Sequence, residues 1–96
     1  MTNQSTEIAI VGGGVIGASI AWHLARRGAN VTLIERDRLA GQASGASAGG
    51  VRQLGRDPRE MPLAIASVAR GRTLEAELET DVEFRASGQL RVAEHE

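Results

Sequence analysis

Three glycines, Gly12, Gly14 and Gly17, stand at the spacing G-x-G-x-x-G, and an acid, Glu35, follows 18 positions after Gly17. Each residue type has a physical task in gripping a diphosphate. Gly12 permits a sharp turn out of a strand. Gly14 has no side chain, so a phosphate can approach the backbone there. Gly17 lets the helix that follows lie close to the strand. Val15 and Ile16 open that helix, where unpaired amides and the positive end of the helix dipole attract anions. The Glu35 carboxylate can accept both hydroxyls of an adenosine ribose. The alternative is a plain tight turn with a solvated acid, since a chain with 12 glycines can produce the pattern by chance. Context favours the nucleotide site, because strand, turn, helix and acid all agree.

The elements that must hold these residues can be read from the flanking sequence. Glu7 to Val11 is a short apolar run ending at glycine, which predicts a buried parallel strand. From Val15 to Arg27 apolar residues recur at helical spacing. Ile16, Ile20 and Leu24 form one stripe, with small Gly17, Ala21 and Ala25 beside it. Arg26 and Arg27 suit the last turn, and Gly28 supplies a left-handed stop. Asn30 to Glu35 predicts a second strand. The fold class is therefore α/β, opening with a right-handed βαβ unit.

Residues 39–53, LAGQASGASAGGVRQ, contain little that could pack a core. Such a stretch fits either a flexible linker or a loop kept small so that a ligand can lie against its amides. Beyond it, Pro58 and Pro62 punctuate a polar turn, and Leu63 to Thr80 predicts a second helix. Leu63, Ile65, Val68, Leu74 and Leu78 are available for its buried face, while Gly71 costs about 1 kcal/mol of helix propensity. Two alternating runs around Ser87-Gly88 predict a β-hairpin. No internal repeat or heptad pattern is present.

Composition narrows the function classes. The 96 residues suffice for one domain at most. Eleven basic and twelve acidic residues give a net charge of −1, so bulk charge attracts neither nucleic acid nor an anionic membrane. Cysteine is absent, which excludes disulfides, thiolate metal sites, a Cys nucleophile and a flavin tethered through Cys within these residues. The polar start MTNQSTE fits no secretory signal and no apolar run reaches membrane-spanning length, so a cytoplasmic location is expected. His23 follows Trp22 with no partner at metal-ligand spacing, and His95 reads as tail; no metal is expected. Glu75, Glu77 and Glu79 read as a solvated helix face. Arg52 reads as a solvated loop arginine like Arg56, Arg59 and Arg70, with contact to cofactor or substrate as the alternative.

An acid at position 35 disfavours a 2′-phosphate by charge repulsion, which ranks NADP behind NAD and FAD. An NAD domain usually continues promptly with another helix and strand, whereas here the small-residue loop intervenes. The stretch IAIVGGGVIGASIAWHLARRGANVTLIERDRLAGQASGASAGGVRQ, residues 8–53, resembles the N-terminus of FAD-dependent oxidoreductases of the D-amino acid oxidase type. That group includes glycine oxidase, sarcosine oxidase and amino-acid dehydrogenase relatives. The later ASGQLRVA is similar to a hairpin strand that the family has before its substrate domain.

The resemblance implies FAD as cofactor. It implies that Glu35 binds the adenosine ribose with Arg36 beside it. It further implies that Ser44 and the backbone of Ala46, Ser47, Ala48, Gly49 and Gly50 face the pyrophosphate and the flavin edge, which makes the loop a cradle. The implied chemistry is oxidation of the C–N bond of an amine or amino acid by hydride transfer to flavin N5. The flavin does the redox work and no residue here is a convincing acid, base or nucleophile, so none is assigned as catalytic. The family's chain is several times longer. Residues 1–96 are therefore expected to be the N-terminal part of a Rossmann-like FAD-binding domain, without the substrate domain. A fragment, a truncated product and one piece of a multi-chain assembly all fit, and an NAD-binding domain or a non-catalytic nucleotide-binding remnant are the alternatives. Two strands and one crossover helix would leave a sheet face uncovered, so the isolated chain is expected to be inactive and to associate.

Overall fold

The computed structural model describes residues 5–94, which form two compact units that divide between Ala48 and Gly49. His95 and the first four residues lie outside the described part.

The first unit is the expected βαβ. Strand β1 (Ile8–Val11) leads through the glycine turn into helix α1 (Val15–Arg26), which returns to strand β2 (Val31–Ile34). The strands pair in parallel, with Ile8 opposite Val31 and Val11 opposite Ile34. The ladder runs one step further, since the Gly12 N–H donates to the Ile34 carbonyl at 2.8 Å. Gly28, at φ +86°, reverses the chain out of α1 as its position suggested.

One sequence expectation changes here. β1 is half-buried in alternation: Ile8 and Ile10 are partly covered while Ala9 and Val11 are exposed. One helix covers one face, so the strand is not enclosed on both sides as its continuous apolar run suggested. The face that α1 turns to the strands was not fixed by its apolar spacing. Gly17, Ala21 and Leu24 are partly covered, whereas Ile16 and Ile20 keep 75% and 47% of their surface. The small residues face the strands because they allow close approach. A Cβ on Gly17 would overlap the Gly12 carbonyl oxygen and sit 3.4 Å from Ile10 Cγ2. Among the described residues no hydrophobic side chain is fully buried, and Gly13 alone is classed as buried.

The second unit is built on helix α2 (Met61–Leu78). Pro62 sits in its first turn, where a missing N–H costs nothing. Asp57 organises the approach, accepting from the Arg59 N–H at 2.9 Å and pairing with its guanidinium at 2.8 Å. That guanidinium, and then the Arg59 amide, hold the Asp57 carboxyl below its ordinary value. The helix starts and ends two residues earlier than expected, closing at Glu79 in the left-handed region at φ 54°. Val68, Leu74 and Leu78 are partly covered, but Leu63 and Ile65 stay 73% and 49% exposed. Gly71 has a packing reason: a Cβ there would lie 2.8 Å from the Phe84 ring.

The expected hairpin around Ser87-Gly88 is not formed. Gly88 has the turn-forming φ of +87°, yet residues 81–94 carry no strand. Two short runs alone gain too little to hold a ladder without a third strand or a covering helix. Glu77 also departs from the solvated-face reading: it pairs with Arg70 Nη1 at 2.6 Å and accepts from Thr73 Oγ1 at 3.3 Å.

Candidate nucleotide site

The glycine turn joins β1 to α1 and is built as the spacing required. Gly12 has φ +109°, a conformation that a side chain would strain, and a Cβ there would meet only open space. Gly14 is the N-cap residue of α1 and offers no side chain to cap it. The cap comes instead from far along the chain, where Ser44 Oγ accepts the Val15 N–H at 2.9 Å. The Ala18 N–H closes onto the Gly14 carbonyl. Among the described residues, the amides of Gly14, Ile16 and Gly17 make no hydrogen bond, so three donors remain open at the positive end of the helix.

Glu35 follows directly on β2 and both its oxygens are held by backbone. Oε1 accepts from the Gly13 N–H at 3.1 Å and Oε2 from the Asp37 N–H at 2.7 Å. The Asp37 amide, and then the Gly13 amide, pull its carboxyl below the ordinary value, with Arg36 adding a smaller push in the same direction. Each oxygen still has a lone pair for a further donor, such as a sugar hydroxyl.

Gly13 is the residue that the motif could not reveal, because its place in G-x-G-x-x-G admits any type. Its N–H holds Glu35, and its carbonyl accepts the Ala40 N–H at 2.8 Å, drawing the following loop against the turn. The only sequence signal was an uninterrupted run of three glycines.

The loop from residue 39 to 46 is a series of tight turns, tied by Gly41 N–H to the Arg38 carbonyl and Ala46 N–H to the Gln42 carbonyl. A Cβ on Gly45 would overlap the Ala40 carbonyl oxygen. The first unit thus brings together Gly12, Gly14, Val15, Gly17, Glu35 and Ser44. Ile16 opens α1 with its side chain exposed, Arg36 is exposed beside Glu35, and Ala46, Ser47 and Ala48 form the exposed end of the loop. Gly49 and Gly50 belong to the second unit. There Arg52 turns back on its own loop, donating from Nη1 to the Leu54 carbonyl at 2.7 Å. His23 lies exposed on the surface of α1, with Nδ1 donating to the Ser19 carbonyl at 2.7 Å and its ring edge-on to Trp22.

The donor set fits a dinucleotide: open amides for anionic oxygens, a fixed carboxylate for hydroxyls, and at Gly14 a cradle that a side chain would fill, since a Cβ there would lie 2.9 Å from Ser44 Oγ. Fold and site together define a dinucleotide-binding βαβ protein. Residues 7–96 match the family described as FAD dependent oxidoreductase, and the chain belongs to that family. FAD, rather than NAD, is the cofactor on which that family depends.

Similar proteins span several activities. The 3-demethoxyubiquinol 3-hydroxylase of Escherichia coli is 63% identical over 35 residues, 36% of this chain and 9% of that protein. The 4-methylaminobutanoate oxidase (formaldehyde-forming) of Paenarthrobacter nicotinovorans is 38% identical over 85 residues, 88% of this chain and 10% of that one. The structure of glycine oxidase from Bacillus cereus superposes with a TM-score of 0.70 at 40% identity, covering 78% of this chain and 20% of the oxidase. The chain therefore spans a tenth to a fifth of the length of these relatives. Among the described residues, no helix is long and apolar enough to cross a membrane, and no three His, Cys, Asp or Glu gather as a metal site would need.

Proposed function

We infer that these residues are the dinucleotide cradle of an FAD-dependent enzyme that oxidises the C–N bond of an amine or amino acid. One observation carries the cradle: the amides of Gly14, Ile16 and Gly17 stand open at the head of α1, beside a Glu35 carboxylate fixed at both oxygens. Support for the substrate class comes from glycine oxidase and 4-methylaminobutanoate oxidase, whose names both specify small amines.

In this reading each residue has a defined task. Gly14, Ile16 and Gly17 donate amides to the pyrophosphate, and the Ser44 hydroxyl, already accepting from Val15, has its own proton left to donate to a phosphate oxygen. Gly12 and Gly14 keep the approach clear, and Glu35 accepts the ribose hydroxyls with Arg36 beside it. The loop amides of Ala46, Ser47 and Ala48 extend the cradle, and the roles of Gly49 and Gly50 rest on the sequence resemblance alone. When bound in this cradle, FAD would supply the two-electron redox chemistry for oxidising the carbon beside the substrate nitrogen, with oxygen or another acceptor as the final oxidant. None of these residues acts as an acid or base; they bind and orient.

A second reading has one observation in its favour. The hydroxylase, 63% identical over 35 residues, is named for a different oxidation. One experiment separates them. The full-length enzyme that carries these residues is purified with its flavin and mixed anaerobically with glycine, sarcosine and N-methylated amino acids. Bleaching of the flavin absorbance with release of an amine or ammonia supports C–N oxidation. Retention of FAD with no bleaching by any amine overturns it, and absence of FAD overturns the cradle itself.

A further inference from the structure

We propose that the Gly13 backbone is the positioning element of the site: it sets the ribose acid and the 39–46 loop in one register, and it does so because position 13 carries no side chain. The proposal rests on the reading of Glu35 as the ribose acceptor.

The argument starts from three hydrogen bonds that meet at two adjacent places. The Gly13 N–H donates to Glu35 Oε1 at 3.1 Å, and the Gly13 carbonyl accepts from the Ala40 N–H at 2.8 Å. The same carboxylate takes the Asp37 N–H on its other oxygen at 2.7 Å. The backbone of one residue, through the two peptides that flank it, therefore fixes the acid on one side and the start of the loop on the other, and the loop in turn carries Ser44 to the head of α1. Glu35 cannot swing aside without giving up both amide bonds.

Space around Gly13 explains why the residue is glycine. A Cβ there would lie 2.6 Å from Leu39 Cδ2, 3.0 Å from Glu35 Cγ and 3.2 Å from Glu35 Cβ. These two neighbours differ in what they can give. Leu39 is 65% exposed and its terminal methyl can move into solvent. The Glu35 stem is pinned through its carboxylate. A single methyl at position 13 thus displaces Leu39 and crowds Glu35 slightly, whereas a β-branched side chain has to push the acid out of place. The contact falls on the ribose acceptor and leaves the open amides of Ile16 and Gly17 untouched, so the effect should be specific to the sugar hydroxyls.

The test compares ADP with 2′,3′-dideoxy-ADP by calorimetry on the FAD-stripped protein, so that binding is read without turnover. The wild type is expected to prefer ADP by about tenfold, the scale of hydrogen bonds to a charged group. Gly13→Val should reduce that preference to near unity while affinity for the dideoxy nucleotide changes less than about threefold. Loss of affinity for both nucleotides in proportion, with the preference intact, would mean a general structural role and overturns the proposal. Gly13→Ala is measured alongside in case the valine variant does not fold. It should lower the preference by about two- to fivefold, Leu39→Ala in the same chain should leave most of that loss in place because the crowded stem is that of Glu35, and either an unchanged preference in Gly13→Ala or full rescue by Leu39→Ala overturns the proposal. A wild type that binds ADP without any preference overturns the ribose role of Glu35 and the proposal with it; a wild type that binds neither nucleotide overturns the cradle.

Discussion

The Val15 amide donates to Ser44 Oγ at 2.9 Å, across 29 residues of sequence. Gly14, the residue placed to cap α1, has no side chain with which to do so. The task passes to a serine in the small-residue loop, whose Oγ lies 2.9 Å from where a Cβ on Gly14 would stand. The bond makes the loop part of the helix terminus.

Removing that hydroxyl should cost both stability and affinity. Ser44→Ala is expected to lower stability by about 1 kcal/mol, the usual worth of a cap. It should weaken FAD binding as well, because the loop is released and a phosphate donor lost. Urea denaturation of the apoprotein and calorimetric titration with FAD check the two effects separately.

At Gly17 a single methyl group is enough to disturb the fold. Its Cβ would overlap the Gly12 carbonyl oxygen, so Gly17→Ala must push α1 away from β1. A loss of about 1–3 kcal/mol is expected, typical of overpacking. The denaturation midpoint measures it, and an unchanged midpoint would contradict the close approach of helix and strand.

Glu35 gives the site a defined acid limit. Its folded carboxyl lies below the ordinary value, chiefly because of the Asp37 amide and then the Gly13 amide. A group depressed in this way contributes stability above its unfolded value, and loses it as pH falls through the lower, folded value. The contribution should therefore be intact at neutral and mildly acidic pH and fade only below the normal carboxylate range. Glu35→Gln should flatten that limb, which stability measured as a function of pH in both forms will show.

In the second unit, Gly71 inverts the normal rule for helix glycines. Glycine to alanine in a helix gains about 1 kcal/mol where nothing opposes it. Here the new methyl would meet the Phe84 ring at 2.8 Å, so Gly71→Ala is expected to destabilise α2. With Phe84→Ala already present, the same change should become stabilising. Hydrogen exchange along α2 in the four forms of the cycle decides the matter.

How far the sequence could be read depended on whether a feature was local. The βαβ start was legible because glycine spacing and apolar periodicity act over neighbouring residues. The helix face was not, since periodicity marks Ile16, Ile20 and Leu24 as a stripe without saying which side meets the strands. The close approach of Gly17 to Gly12 and Ile10 decides that, and it turns Ile16 outward. Gly13 was hidden for the same reason: its partners Glu35 and Ala40 are remote in sequence, and its motif position carries no type of its own. The run of small residues from 39 to 53 could be narrowed to a cradle only through resemblance. The structure adds the specific ties, from Ala40 to Gly13 and from Ser44 to Val15. Around Ser87-Gly88, alternation and turn chemistry were present, but a ladder also needs a neighbour, which alternation does not supply.

The exposure of Val11, Val15, Ile16, Ile34 and Leu39 bears on how this polypeptide responds to warming. Heat capacity rises on denaturation mainly as aliphatic groups enter water. When so many already touch it, little increment remains, and a calorimetric trace of these residues would be low and broad. Any surface laid over those five side chains would sharpen the peak and steepen its temperature dependence.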